Sequence, residues 1–164
     1  MSAYMELATP MTVRECLLDA LADAGFSSAM IEVHQSPSLL VGYPGDRAQQ
    51  SAEIIIRRQN LSGASADLGF VRTDTGYRLL VNDMDRSRFG PAWLGRVSAR
   101  YEHHCQAREQ RLAAEERRRL DEERRKLVEA QRQLVVETAK RQGYRIQEVR
   151  EGEAVRLVLT KRVY

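Results

Sequence analysis

Leu68-Gly69-Phe70-Val71-Arg72-Thr73-Asp74-Thr75-Gly76-Tyr77-Arg78-Leu79-Leu80-Val81-Asn82 is the stretch that decides the fold. Leu68 to Thr73 and Tyr77 to Asn82 are rich in β-branched, aromatic and large apolar residues, which favour pleated, half-buried structure. Asp74-Thr75-Gly76 between them is too short for anything but a hairpin connection. The two runs are therefore expected to be antiparallel neighbours.

Working towards the N-terminus, Ala52 to Arg58 is the strongest strand signal, because Ile54-Ile55-Ile56 is β-branched throughout. Asn60 to Ala66 reads as loop. Tyr43-Pro44-Gly45-Asp46 reads as a turn, with Pro second and Gly third. Met30 to His34 and Leu39 to Val41 read as two short strands, broken by Ser36-Pro37-Ser38. Thr12-Val13-Arg14-Glu15 has the form of a capping box. It opens a helix with Val13, Leu17, Leu18, Leu21 and Ala22 on one stripe, and Gly25 suits its end.

Working towards the C-terminus, the texture changes. Gly90-Pro91 can start a helix. From there to Gln142 the chain contains no further Pro and one Gly, Gly95, and Gly143 suits a stop. A continuous helix over these 52 residues would span ~78 Å. With no turn chemistry between Ala107 and Lys140, a projecting helix is expected. Phe89, Trp93, Leu94, Val97 and Tyr101 form its core-facing side, and Leu134, Val135, Val136 and Ala139 are expected to dock on the sheet again. Tyr144 to Val149 and Ala154 to Leu159 read as a terminal hairpin around Glu151-Gly152-Glu153.

The expected class is α+β: a mostly antiparallel sheet with a short N-terminal helix, a long projecting charged helix and a C-terminal β-hairpin. Residues 1-105 and 133-164 are read together as one domain, with 106-132 a charged arm inserted within the long helix.

Of 164 residues, 26 are Lys or Arg and 23 Asp or Glu, a net charge of +3. The segment from Gln106 to Gln142 holds 11 of the basic and 8 of the acidic residues, leaving 15 of each sign elsewhere. The whole surplus therefore rides on the arm. Acids interrupt each of its basic clusters and would repel phosphate, so nucleic acid is not the expected partner of the helix. Ala113, Leu120, Leu127 and Leu134 recur every seven residues, one apolar column where a coiled coil wants two. This column is the candidate interaction arm, open to self-association or a partner helix.

Other constellations are weaker. Asp83 and Asp85 would point to one side of an extended chain and could suit Mg²⁺ or Ca²⁺. His103-His104-Cys105 has metal-binding residue types, but helical neighbours diverge by about 100° and cannot converge on one ion. Asp46, Arg47, Glu53, Arg57, Arg58, Asp67 and Arg78 form a candidate polar surface, with Arg72 nearby. Cys16 and Cys105 are read as free thiols of a cytoplasmic protein. No stretch approaches the ~20 apolar residues of a membrane helix, and Met1 to Pro10, with Glu6 and no basic residue, is not a signal peptide. No catalytic fingerprint and no cofactor motif is present.

Gly42-Tyr43-Pro44-Gly45-Asp46-Arg47, Ala52-Glu53-Ile54-Ile55-Ile56-Arg57-Arg58, Ser65-Ala66-Asp67-Leu68-Gly69-Phe70, Asn82-Asp83-Met84-Asp85 and Trp93-Leu94 occur in this order. Together they resemble a family of small proteins sharing a domain of unknown function, which includes the "Ycf thirty-five" proteins of algal plastids and cyanobacteria. The resemblance covers roughly Met11 to Tyr101 and Gln142 to Lys161. Typical members have a much shorter helix, so the Glu/Arg segment from Gln106 to Arg132 looks like an insertion. Genes of that family often lie beside those of AAA-type ATPases, which implies an accessory role in an ATP-driven complex. The sequence thus points to a non-enzymatic adaptor. The alternatives are a metal-dependent enzyme using Asp83 and Asp85 with Asp67 and Glu53, or a nucleic-acid-binding module using the strand arginines.

Overall fold

The computed structural model describes residues 3–42, 50–152 and 154–161. The expected turn at Tyr43–Asp46, and with it Asp46 and Arg47 of the polar surface, lies outside them, as does Glu153 of the terminal turn. The architecture is α+β, as expected. Residues 1–110 and 111–164 form two compact units.

The first unit is built on an antiparallel five-stranded sheet. Its strands are β1 (Tyr4–Ala8), β2 (Ile31–Leu39), β3 (Ser51–Ile56), β4 (Leu68–Thr73) and β5 (Gly76–Asn82), in the order β1-β5-β4-β3-β2. The hairpin that decides the class is present, with Thr73 opposite Gly76 and Gly69 opposite Leu80. Gly76 has φ +136°, and a Cβ there would lie 2.7 Å from the Met11 carbonyl oxygen, so this turn needs glycine.

One sheet face carries Ile54, Ile56, Leu68, Phe70, Tyr77, Leu79 and Val81. Against it pack α1 (Arg14–Asp23), through Leu17, Ala20 and Leu21, and the first turns of α3 (Pro91–Arg141), through Trp93, Leu94, Val97 and Tyr101. A one-turn helix, α2 (Arg86–Phe89), adds Phe89, whose ring meets Trp93 edge-on at 5.5 Å. The opposite face holds a smaller cluster of Leu40, Ala52, Ile55 and Leu80.

The structure differs from the sequence expectation at four places here. Strand β1 was not anticipated; it lies at the sheet edge and pairs with β5 along Tyr4–Ala8. Ile31 to Leu39 is one strand rather than two. Pro37 is tolerated because β2 is an edge strand and its register against β3 shifts between Val33 and Ser38. Ala22 of the expected α1 stripe is exposed, and Cys16 and Ala20 are buried instead.

The capping box does not form either. Helix α1 starts at Arg14, and its N-cap position, Val13, makes no side-chain cap. The Tyr101 hydroxyl instead holds the chain just ahead of the helix, accepting from the backbone N–H of Thr12 at 2.9 Å and of Val13 at 3.0 Å. A hydroxyl oxygen has two lone pairs and can satisfy both. Glu15, released from capping, pairs with Arg108.

The second unit contains the later part of α3 and a hairpin of β6 (Tyr144–Glu151) and β7 (Ala154–Lys161). Helix α3 is one element of 51 residues, and Gly143 at φ +78° follows its end. The hairpin is a two-stranded sheet of its own, with Ile146 opposite Leu159 and Glu148 opposite Leu157. Ala139 is buried, but Leu134 and Val135, expected to dock with it, are exposed. Within this unit Arg132 pairs with Glu148, and Val128 and Val135 line a cleft with Val155 and Leu157 of β7.

Candidate functional site

The polar residues of the sheet converge beside the end of β3. Ile55 belongs to the smaller apolar face and stands opposite Glu32 of β2. Two residues on, Arg57 leaves the strand on the same side and reaches Glu32. The Arg57 guanidinium donates from Nε (2.9 Å) and Nη2 (2.6 Å) to Glu32 Oε2. Its Nη1 donates to Asp67 Oδ2 at 2.8 Å and to the Leu39 carbonyl at 3.1 Å. His34 Nε2 lies 3.1 Å from the same Glu32 oxygen.

The row Asp67–Arg57–Glu32 runs from interior to surface, with His34 beside its outer end. The Asp67 side chain is 1% exposed, that of Arg57 22%, and that of Glu32 43%. Asp67 also accepts from the backbone N–H of Val41 at Oδ2 and of Arg58 at Oδ1, each at 2.8 Å. Its own N–H donates to the Val41 carbonyl, and the Tyr4 hydroxyl donates to the Asp67 carbonyl at 3.2 Å. One buried carboxylate thus fastens the chain at Val41, the exit of β3 and the entry of β4. This places Leu40 against the small apolar face, where its methyls fill the space a Gly69 side chain would need.

The electrostatics follow from the geometry. The Arg57 hydrogen bonds hold the Glu32 carboxyl below its ordinary pKa, against an opposing effect of partial burial and with help from His34. The same contact to Glu32, with Asp67 behind it, pushes the Arg57 pKa upwards.

A second buried carboxylate, Asp85, accepts from the backbone N–H of Ser65 at 3.0 Å on each oxygen and of Ala66 at 3.2 Å. It fixes the Ser65–Ala66 stretch that leads into Asp67. Asp83 and Asp85 sit in a 3₁₀ turn, Asp83–Asp85, and not in extended chain. Asn82 caps that turn, its side-chain oxygen accepting from the Met84 N–H. Asp83 is exposed and Asp85 buried, so the two do not share a face. This corrects the extended arrangement expected for them.

The remaining candidates stand apart. Glu53 accepts from the Arg72 backbone N–H at 2.8 Å. Arg78 pairs with Glu6 across β5 and β1 at 3.1 Å. Arg58 meets the cluster through its backbone alone among the contacts above. His104 pairs with Asp23 at 2.7 Å, away from His34. Among the described residues no group of three His, Cys, Asp or Glu side chains could hold a metal ion.

Cys16 and Cys105 are free but not remote: Cys105 packs against the core cluster that contains Cys16. Burial, and after it the Cys105 contact, pushes the Cys16 thiol up to about 11.

On the arm, Leu120, Leu127 and Leu134 are 53%, 66% and 69% exposed, and Ala113 is exposed with them. Sequence reasoning missed Glu32, His34 and the Tyr101 hydroxyl. Only Glu32 and His34 carried a signal, two polar residues at strand spacing on one face of β2. Comparison with protein-family models, with curated proteins and with solved structures gives no match. No described helix is long and apolar enough to cross a membrane.

Proposed function

We propose that the protein is a non-enzymatic adaptor whose working surface is the α3 arm. The observation that supports this reading is a contrast. Asp67 and Asp85 spend their oxygens on backbone N–H groups and on Arg57, which is scaffold chemistry. The arm instead leaves its apolar column in water, and apolar residues repeating every seven positions are the pattern by which helices pair. An enzyme built on Asp83 and Asp85 would need carboxylates free to turn to a substrate or metal, and Asp85 is engaged. A nucleic-acid module would need its strand cations turned outward together, and two of the four, Arg57 and Arg78, are paired with acids.

The partner is a protein, and the resemblance to the plastid and cyanobacterial family favours an AAA-type ATPase working in the cytoplasm. Affinity purification of the full chain from its native host, with and without ATP, tests this. Recovery of an ATPase subunit, lost on deletion of Gln106 to Arg132, is the expected result. Partners unaffected by that deletion would overturn the arm's role.

A further inference from the structure

We infer that the occupant of the arm's apolar column is a second copy of this chain, bound in parallel and in register through Ala113, Leu120, Leu127 and Leu134. This deepens the adaptor reading and rests on it: the protein partner meets the paired arms, and the column is what pairs them. With a seven-residue repeat these four side chains stand on one line along α3. Three residues beyond each, and about 50° to one side, come Glu116, Glu123, Ala130 and Glu137. Four residues beyond, and equally far to the other side, come Arg117, Arg124, Gln131 and Thr138. The column is therefore flanked by an acidic row and, along its first half, by a basic row.

That asymmetry selects both occupant and direction. When two copies pair in parallel about a two-fold axis along the helices, the acidic row of each faces the basic row of the other. Glu116 then meets Arg117 of the second copy, and Glu123 meets Arg124, on both sides of the seam. In an antiparallel pair, acid would face acid and base would face base, which is destabilising. One narrow column cannot bury itself, but two identical ones bury each other.

The rest of the unit leaves this seam open. Residues Arg132 and Ala139 lie about 150° round the helix from the column. Arg132 holds Glu148 of the hairpin, and Ala139 is 4% exposed. The hairpin reaches round to Gln131 and Glu137, which line clefts with β7 and with Glu148, but it leaves Leu127 and Leu134 in water.

The test uses the full chain. Sedimentation equilibrium from about 1 to 200 μM, the range for a weak to moderate interface, is expected to show a monomer–dimer equilibrium. Leu120→Gln, Leu127→Gln and Leu134→Gln together should leave only monomer; these positions are exposed, so the fold is kept, as circular dichroism would verify. Ala113→Cys should form a disulfide between copies under mild oxidation, because in register it meets itself. A monomer at every concentration, a dimer indifferent to the three substitutions, or a cross-link seen only when Ala113→Cys is mixed with Leu134→Cys would each overturn the inference. A monomer whose protein partner is still lost on those substitutions would overturn self-pairing and leave the adaptor reading intact. A dimer that depends on them while every partner is retained would do the reverse.

Discussion

Arg57 Nη1 and Asp67 Oδ2 stand 2.8 Å apart, the arginine one-fifth exposed and the carboxylate sealed from solvent. The pair joins the end of β3 to the start of β4, and Asp67 draws in Val41 and Arg58 as well. Asp67→Ala would leave the backbone N–H groups of Val41 and Arg58 without their acceptor, while the Arg57 guanidinium keeps Glu32 and the Leu39 carbonyl. Leaving a buried donor unpaired costs about 1–3 kcal/mol for each group. Urea unfolding should show a loss of that order, with Asp67→Asn intermediate because it can still accept one or two of the bonds.

Glu32 sets the acid limit of the same row. Its carboxyl pKa is depressed in the fold, mainly by Arg57, so its contribution to stability is complete above the unfolded value near 4.5. That contribution disappears as pH falls through the lower, folded value. Stability measured from pH 6 to pH 3 should therefore fall less steeply in Glu32→Gln than in the native protein. Equal slopes would mean that the ion pair does not form.

Tyr101→Phe removes one oxygen and the two bonds it accepts from the Thr12 and Val13 N–H groups, while keeping the ring in the core. The loss expected is about 1–3 kcal/mol, the range for leaving a partly buried donor unpaired. Thr12→Ala, by contrast, should change stability little, since the Thr12 side chain does not cap α1. Chemical denaturation of the two variants side by side checks this, and the reverse order would restore the capping box.

Cys16 is 1% exposed and its thiol pKa is raised to about 11, so at pH 8 thiolate is scarce and access poor. Alkylation by iodoacetamide should label Cys16 only after denaturation. Peptide mass spectrometry reads the site directly, and rapid native labelling would contradict the burial.

Glycine positions separate two kinds of crowding. A Cβ at Gly69 would meet Ala52 Cβ at 2.8 Å and a Leu40 methyl at 2.9 Å, and the Leu40 end can yield. At Gly76 it would meet a carbonyl oxygen at 2.7 Å with φ at +136°. Gly69→Ala should cost about 1–3 kcal/mol and Gly76→Ala more, as thermal unfolding would show.

Much of the fold was legible because its signals are local. The Ile54–Ile56 run, the Asp74-Thr75 turn and the Trp93–Tyr101 helix face each depend on neighbours within a few residues. Strand β1 was not legible, since five residues at a sheet edge need only half a face of apolar side chains. The clasp escaped for a different reason. Asp67 and Arg57 were visible as polar residues near strands, but Glu32, 25 positions from Arg57, became relevant only once β2 was placed beside β3. The capping box does not form because Val13 takes the N-cap position, and Tyr101, 89 residues from Thr12, holds the Thr12 and Val13 N–H groups from across the fold. Asp83 and Asp85 were misread because the chain turns immediately after β5.

The central claim is that the α3 column is the working surface and the Asp67–Arg57–Glu32 row is scaffold. The most direct measurement is quantitative affinity purification from the native host with three baits: the native chain, the Leu120→Gln, Leu127→Gln, Leu134→Gln chain, and His34→Ala. His34→Ala should recover the same partners as the native chain, and the triple variant should lose them. Partners kept by the triple variant and lost by His34→Ala would contradict the account.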